Sequence, residues 1–552
     1  MTEQQGSRTV CASAEWVAVL GSCMVLSLSV FAWCWQRHVL LNYGDAVAHL
    51  HIARRILDSH RPGLTQLGSV WLPLPHLLML PFVAVYRWWA NGIAGAVPSM
   101  LAYLASCVGL YRLARKWLSP LTAALALAFF ALNPNLLYLQ TTAMTEPLFL
   151  CEFVWIVLML VEWHQCVADD KAHARRLLWP IAMLLIAAIF TRYDGWILAL
   201  LAWTAIGIIL LRRGELRSVT FWLASSAVVA SPLVWFGYNA LAYGDWLDFA
   251  RGPYSARAIE LRTAAPGGPL HPGWHDPWVA LHYFLKCAEL DAAPAAWTTA
   301  LLLLSLFGTG CALLIARRRG FPWALLLWLP VPFYAYSVAY GSVPIFIPPQ
   351  WPHSWYNTRY GMEMLPAFAL GAGFIAQFLL AAIREFKASW VGRAAVILFA
   401  CVGLNQWLVL RDRPLTYVEG VKNIEARRPL LEQIPPVLRS LLATRPGGEI
   451  LMETSVYPQL VTYTGIPLRQ TINESDKEFY TAALAAPAAH AAIVLAFDGD
   501  EVDGAVKAHP EDLKAVGRFH APGQPSATVY VSTLFPAQQT TSAVIASGKD
   551  AP

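Results

Sequence analysis

Apolar stretches long enough to cross a bilayer, about 17–25 residues each, recur along the first three quarters of the chain. They fall near 16–36, 92–111, 120–140, 147–165, 219–242, 296–316, 321–342, 361–381 and 391–410. A longer stretch over 178–211 is interrupted by Thr191-Arg192-Tyr193-Asp194-Gly195 and reads as two helices. That makes about eleven spans, and a chain built this way satisfies its backbone in lipid only as a polytopic α-helical membrane protein. The region 71–89 is also apolar but carries Pro73, Pro75 and Pro81. It reads either as a further span or as a helix lying in the interface.

Charge divides the chain in two. Only 14% of the 552 residues are charged, against roughly a quarter in a soluble domain. Residues 411–552 hold 13 Lys/Arg and 16 Asp/Glu, while the first 410 hold 27 and 19. The step predicts a membrane domain over 1–410, an α/β domain over 411–535 and a disordered polar tail over 536–552. The net charge of +5 belongs to the membrane part, so it argues for no nucleic-acid partner. The 24 Trp, 20 Tyr and 24 Phe exclude a largely disordered chain. The nine Cys form no C-x-x-C pair and end at Cys401, which suggests neither a zinc ribbon nor a disulfide framework.

The basic clusters decide the topology. If 71–89 does not cross, Arg112/Arg115/Lys116, Lys171/Arg175/Arg176, Arg212/Arg213/Arg217, Arg317/Arg318/Arg319 and Arg384/Lys387/Arg393 all share a side with Arg8. Those are 16 of the 27 basic residues before 411, the bias expected of cytoplasmic loops. A crossing would turn every cluster except that of Arg8 outward. The interfacial reading is therefore adopted, with external segments at 37–91, 141–146, 243–295 and 343–360, a cytoplasmic N-terminus and an external C-terminal domain. The apolar run from Trp16 to Trp35 reads as a retained signal anchor. In the C-terminal part, strands are expected at Glu449–Met452, Ala491–Phe497 and Ala527–Ser532, with helices near 425–443 and 475–486.

Ionisable residues at the ends of membrane helices are expensive and functional by default. On a helix Asp45 and His49 share a face, with Arg54 and Arg55 further on. Glu146 precedes Pro147 at the start of an apolar run; it is a second candidate carboxylate or a simple neutraliser of a helix N-terminus. Arg192 and Arg359, beside Tyr193 and Tyr360, are phosphate binders or interface anchors of an aromatic belt. His49, His51 and His76 read as hydrogen-bonded loop histidines. A divalent cation held by Asp45 or Glu146 with His49 and His76 is the alternative, though the spacing is no recognised signature. Asp498-Gly-Asp500-Glu501 resembles the D-x-D of soluble nucleotide-sugar transferases, but without a glycine-rich phosphate loop it reads as a strand-to-helix turn.

The order of these features resembles the integral-membrane GT-C glycosyltransferases, particularly bacterial members related to protein O-mannosyltransferases and the lipid A aminoarabinose transferase. The matches are Asp45 after the first membrane helix, Glu146 in Thr-Glu-Pro-Leu-Phe at the next external turn, and Pro73-Leu-Pro75-His76 heading an interfacial helix. Thr191–Trp196, Phe249–Arg257 and Asn357–Gly361 look like segments found in relatives.

The resemblance implies transfer of a sugar from a polyprenyl-phosphate donor to a lipid, glycan or protein acceptor at the outer face of the inner membrane, with inversion. It implies Asp45 as general base and Glu146 as the group that orients the acceptor or holds Asp45. Arg192 and Arg359, then Arg54 and Arg55, would bind the donor phosphate. Tyr193, Tyr254, Tyr360 and His49 would contact substrate; no cofactor is required, and a divalent cation stays open. A transporter or lipid flippase is the alternative, but it would show repeated halves and helices broken in mid-membrane. A non-catalytic scaffold would leave the Asp45, Glu146, Arg192 and Arg359 set unexplained.

Overall fold

The computed structural model describes residues 2–263 and 270–537; the tail expected over 536–552 lies outside the described residues from 538 on. The chain forms two units, one comprising Met1–Ala53 and Leu67–Lys422, the other Arg54–Gln66 and the chain from Asn423. Sequence reasoning had placed the step at 411 and assigned 54–66 to the membrane domain.

The first unit is helical. It begins with α1 (Thr2–Gln36), α2 (Gly44–Arg55), α3 (Leu74–Val83), α4 (Tyr86–Asn91), α5 (Ile93–Ala114), α6 (Pro120–Ala131) and α7 (Pro134–Leu139). Then come α8 (Glu146–Cys166), α9 (Lys171–Thr191), α10 (Asp194–Arg212), α11 (Val219–Tyr243), α12 (Asp248–Arg251), α13 (Ala256–Thr263), α14 (Pro277–Ala292), α15 (Thr298–Ala316) and α16 (Pro330–Tyr340). The series closes with α17 (Leu365–Lys387), α18 (Val391–Arg411) and α19 (Leu415–Ala443), the last of which continues into the second unit.

Nine helical runs among the described residues are long and apolar enough to cross a membrane, and the last of them, Thr358–Ala443, contains both α17 and α18. The protein is thus a multi-pass membrane protein. One expected span, 120–140, is divided: Asn133 caps α7 by accepting from the amides of Asn135 and Leu136, and Pro134 stands at its first position. The proline-rich region 71–89 forms only the ten-residue α3 and six-residue α4, too short at about 1.5 Å per residue to cross.

Close helix contacts rest on small residues, as is usual where lipid supplies no hydrophobic drive. A Cβ on Gly308 of α15 would meet the Gly371 carbonyl oxygen of α17 at 2.4 Å, and one on Gly371 would meet Ser305 at 2.7 Å. The joint between α9 and α10 is as tight, since a Cβ on Gly195 would stand 2.2 Å from the Ala188 carbonyl oxygen.

The second unit is an α/β layer. In chain order it has β1 (Ile450–Leu451), α20 (Gln459–Thr464), β2 (Thr471–Ile472), α21 (Glu478–Ala485), α22 (Pro487–His490), β3 (Ile493–Phe497), α23 (Glu501–Ala508), β4 (Leu513–Phe519) and β5 (Ala527–Ser532). The sheet order is β2-β1-β3-β5-β4, parallel through β2, β1 and β3 and antiparallel where β5 pairs with β3 and β4. Leu451, Val494, Ala496, Val502 and Val506 form its core with Tyr480. The three expected strands are present, and β2 and β4 are additions: β2 is two residues long, and β4 carries Lys514 and Arg518 along a mostly exposed edge. The Asp498–Glu501 segment is the turn from β3 into α23, with Asp500 as cap accepting from the Asp503 amide.

Candidate active site

Charged side chains from five separate segments converge in the first unit. Asp45 lies in the first turn of α2, Glu146 opens α8, and Arg192 and Asp194 form the joint of α9 and α10. Arg359 and Glu363 sit on a 3-10 turn, Thr358–Met364, that leads into α17, and Glu419 comes from the start of α19.

Arg359 is the hub. Its Nη2 donates to Asp45 Oδ2 at 2.8 Å, its Nε to Glu146 Oε1 at 2.9 Å and its Nη1 to Glu419 Oε1 at 3.1 Å. Glu419 also accepts from the amides of Asn357 and Thr358 and from the Thr358 hydroxyl, which fixes the turn carrying Arg359. Asn357 begins that turn at a φ of 55°, a left-handed conformation that asparagine tolerates better than most residues. Gly361 is required behind it, because a Cβ there would fall 2.5 Å from Asp291 Oδ2.

Arg192 makes a second hub. Nη1 reaches Glu146 Oε1 at 3.2 Å, Nε reaches Asp194 Oδ2 at 3.1 Å, and Nη2 lies 2.6 Å from the Tyr334 hydroxyl and 3.2 Å from Glu363 Oε1. Tyr334 in turn donates to Glu363 at 2.7 Å. Glu146 therefore bridges the two arginines through a single oxygen. Tyr360 lies between them, with both guanidinium carbons 5.1 Å from its ring centroid.

Two arginines thus serve five carboxylates, and the set carries an excess of three negative charges when all are ionised. Such an imbalance among mostly buried side chains costs stability. Exposure singles out one member: the Asp45 side chain is 44% exposed, while those of Glu146, Glu363 and Glu419 are 1–2% exposed. Asp45 is the most open carboxylate of the set.

The other expected residues take up different surroundings. His49 is buried, its Nδ1 2.8 Å from His76 Nε2 and its ring 4.4 Å from that of Trp71. Burial pushes its pKa down to about 4, against the pull of Asp45 and Glu146. Among the described residues no group of three or more His, Cys, Asp or Glu is arranged to hold a metal ion. Tyr193 donates to the Val70 carbonyl and stacks on Phe249, and Tyr254 lies under Arg262. Arg54 and Arg55 belong to the second unit, where Arg54 binds Asp58 and Arg55 binds Ser475 and the Gln66 carbonyl.

Sequence reasoning missed Asp194, Tyr334, Glu363 and Glu419. Asp194 stood in a quoted segment and could have been found as a carboxylate two residues from Arg192. Glu363 and Glu419 carry no local signal.

Helices in this order, with a carboxylate and arginine cluster gathered at their ends, form a membrane fold that is found in known structures. Two solved structures share it: the chain is similar to ArnT from Cupriavidus metallidurans bound to undecaprenyl phosphate, at 13% identity over 93% of this chain and 99% of that one, with a TM-score of 0.54. For ArnT from the same organism in the apo state the figures are 14%, 96%, 100% and 0.52. At such identities the likeness is one of fold. No protein-family model matches the sequence, and no curated protein matches it.

Proposed function

We propose that this protein transfers a sugar from a polyprenyl-phosphate donor to an acceptor at the external face of the inner membrane, with Asp45 as general base. The observation that carries the reading is the position of Asp45: half-exposed, held at 2.8 Å by Arg359, at the edge of a network whose other members are buried. The shared fold supports it, and the ArnT structure holds undecaprenyl phosphate, the species left when a sugar departs from such a donor.

In this reading the acceptor hydroxyl gives its proton to Asp45 as its oxygen attacks the anomeric carbon. The bond from that carbon to the donor phosphate breaks, and the electron pair leaves with the phosphate. Attack from the side opposite the leaving group inverts the centre. General-base assistance of this kind is worth roughly 10²–10⁴ in rate.

Each nitrogen of Arg192 and Arg359 already faces a carboxylate. Their first task is therefore to hold Asp45 and Glu146 in place, and they meet the phosphate from the open side. Arg257 and Arg262 add positive charge; they make no ion pair among the described residues and lie over Trp274 and Tyr254. Tyr193, Tyr254 and Tyr360 supply flat surfaces for the substrate. The acceptor is a lipid, a glycan or a protein. The N-terminus is cytoplasmic and the C-terminal unit external.

The test is transfer of radiolabelled sugar by protein purified into lipid, across a panel of polyprenyl-phosphate donors and cell-envelope acceptor extracts. The expected result is labelled product of inverted configuration. Folded protein that turns over none of the donors contradicts the proposal, and a cytoplasmic signal from a reporter fused after Pro536 contradicts its sidedness.

A further inference from the structure

Helix α8 grips the joint of α9 and α10 at two points. At its first residue Glu146 meets Arg192. Six residues further along the helix, about 9 Å deeper in the apolar span at 1.5 Å per residue, Glu152 meets Thr191, the residue just before Arg192. The Thr191 Oγ1 lies 2.8 Å from Glu152 Oε1, and Glu152 is 4% exposed. An ionisable side chain at such a depth is expensive and asks for a function.

The hydrogen count bears on the state of Glu152. Thr191 Oγ1 is also 2.9 Å from the Ala187 carbonyl oxygen, and a hydroxyl carries one hydrogen for two acceptors. Were Glu152 ionised, that hydrogen would be divided between the carbonyl and the carboxylate. The second oxygen, Oε2, is buried with no hydrogen-bond partner among the described residues, and a buried charge without partners is costly. Among the described residues no arginine or lysine acts on Glu152; the charge that does is that of Asp194, of its own sign. With a proton on Oε1 both bonds are made: Glu152 donates to Thr191, and Thr191 donates to Ala187. Oε2 is then a neutral carbonyl oxygen, which tolerates burial better than a carboxylate does.

We propose that Glu152 is a positioning residue that keeps its proton: as an uncharged acid it donates to Thr191 and so sets where Arg192 meets Glu146. Its effect on transfer rests on the sugar-transfer reading above; its protonation and its hold on the joint do not.

Infrared spectroscopy and amide hydrogen exchange of the detergent-purified full chain test it, alongside transfer. At about pH 7, where an ordinary glutamate is ionised, the wild-type spectrum should contain the carbonyl stretch of a protonated carboxylic acid that Glu152→Gln lacks. The amide of E152Q still donates to Thr191, so its exchange at the amides of Arg192, Gly195 and Trp196 and its transfer should match wild type within about twofold. Glu152→Leu suits an apolar helix and should unfold no earlier than wild type. Its exchange at those amides should quicken about three- to tenfold, the worth of one hydrogen bond, and its transfer should slow by about as much. A wild-type spectrum without the acid band, or wild-type exchange in E152L, overturns the proposal. Faster exchange with unchanged transfer would make the bond merely structural and overturn it as well. If wild type transfers no sugar, the sugar-transfer reading fails, and the band and the exchange still decide on Glu152. Should E152L misfold, Thr191→Val, which removes the same bond from the other side, is read against the same outcomes.

Discussion

Two ionic clusters in this protein are built from the same kinds of side chain and balanced differently. In the second unit Arg54, His60, Arg61 and Arg469 face Asp58, Glu449, Asp476 and Glu478, four cations against four carboxylates. His60 stands between Glu449 at 3.1 Å and Asp476 at 3.2 Å, and its hydrogen bonds to Asp476 and Glu449 raise its pKa to about 10. In the first unit two arginines face five carboxylates, and one of the five opens to solvent. A balanced cluster staples a segment, here 54–66, into its own unit. An unbalanced one costs stability and leaves excess negative charge at its open member.

Breaking the hub of the unbalanced cluster should have the largest effect. Arg359→Ala leaves Asp45, Glu146 and Glu419 short of a cation and should cost about 3–5 kcal/mol, read as a lower unfolding temperature together with complete loss of transfer. Glu146→Gln keeps the shape and reduces the charge excess from three to two. It should hold stability within about 1 kcal/mol while transfer falls about 10–100-fold, because the two arginines lose their shared anchor. Equal losses of fold and rate would make Glu146 merely structural.

The balanced cluster answers to pH in a defined direction. His60 has its folded pKa raised, so its contribution is complete below the ordinary histidine value, roughly 6.5, and is lost as pH rises through about 10. His60→Gln should therefore weaken hydrogen-exchange protection across 449–479 by about 1–2 kcal/mol at pH 6, a figure discounted for the exposure of Glu449. The difference from wild type should vanish by about pH 11. A pH-independent difference would show that the ring packs without carrying charge. Smallest of all, Asp498→Ala removes an exposed pair with Arg518 and should change stability by less than about 0.5 kcal/mol, with transfer untouched; a loss of transfer would revive the D-x-D reading.

Apolar length made the membrane spans legible, because lipid imposes it. The break at Asn133-Pro134 was missed, because an apolar run counted by length alone conceals a cap and a proline inside it. β2 and β4 were not legible: one is too short for a period, and the other alternates around charged residues on an open edge. At the site, Asp45, Glu146, Arg192, Arg359 and Tyr360 stood out as polar residues at apolar helix ends, and the structure gathers all five. Glu363 is hidden at the head of an apolar helix and Glu419 in the charge-rich stretch after Arg411. Only folding brings them to Arg192 and Arg359.

Reading Asp45→Asn for fold and rate together is the most direct test of the central claim, that the unbalanced cluster exists to present one accessible base. The substitution keeps the shape of a half-exposed side chain, so its unfolding temperature should lie within a few degrees of wild type while the rate of sugar transfer falls at least about a hundredfold. Transfer at the wild-type rate by folded Asp45→Asn protein would contradict the account.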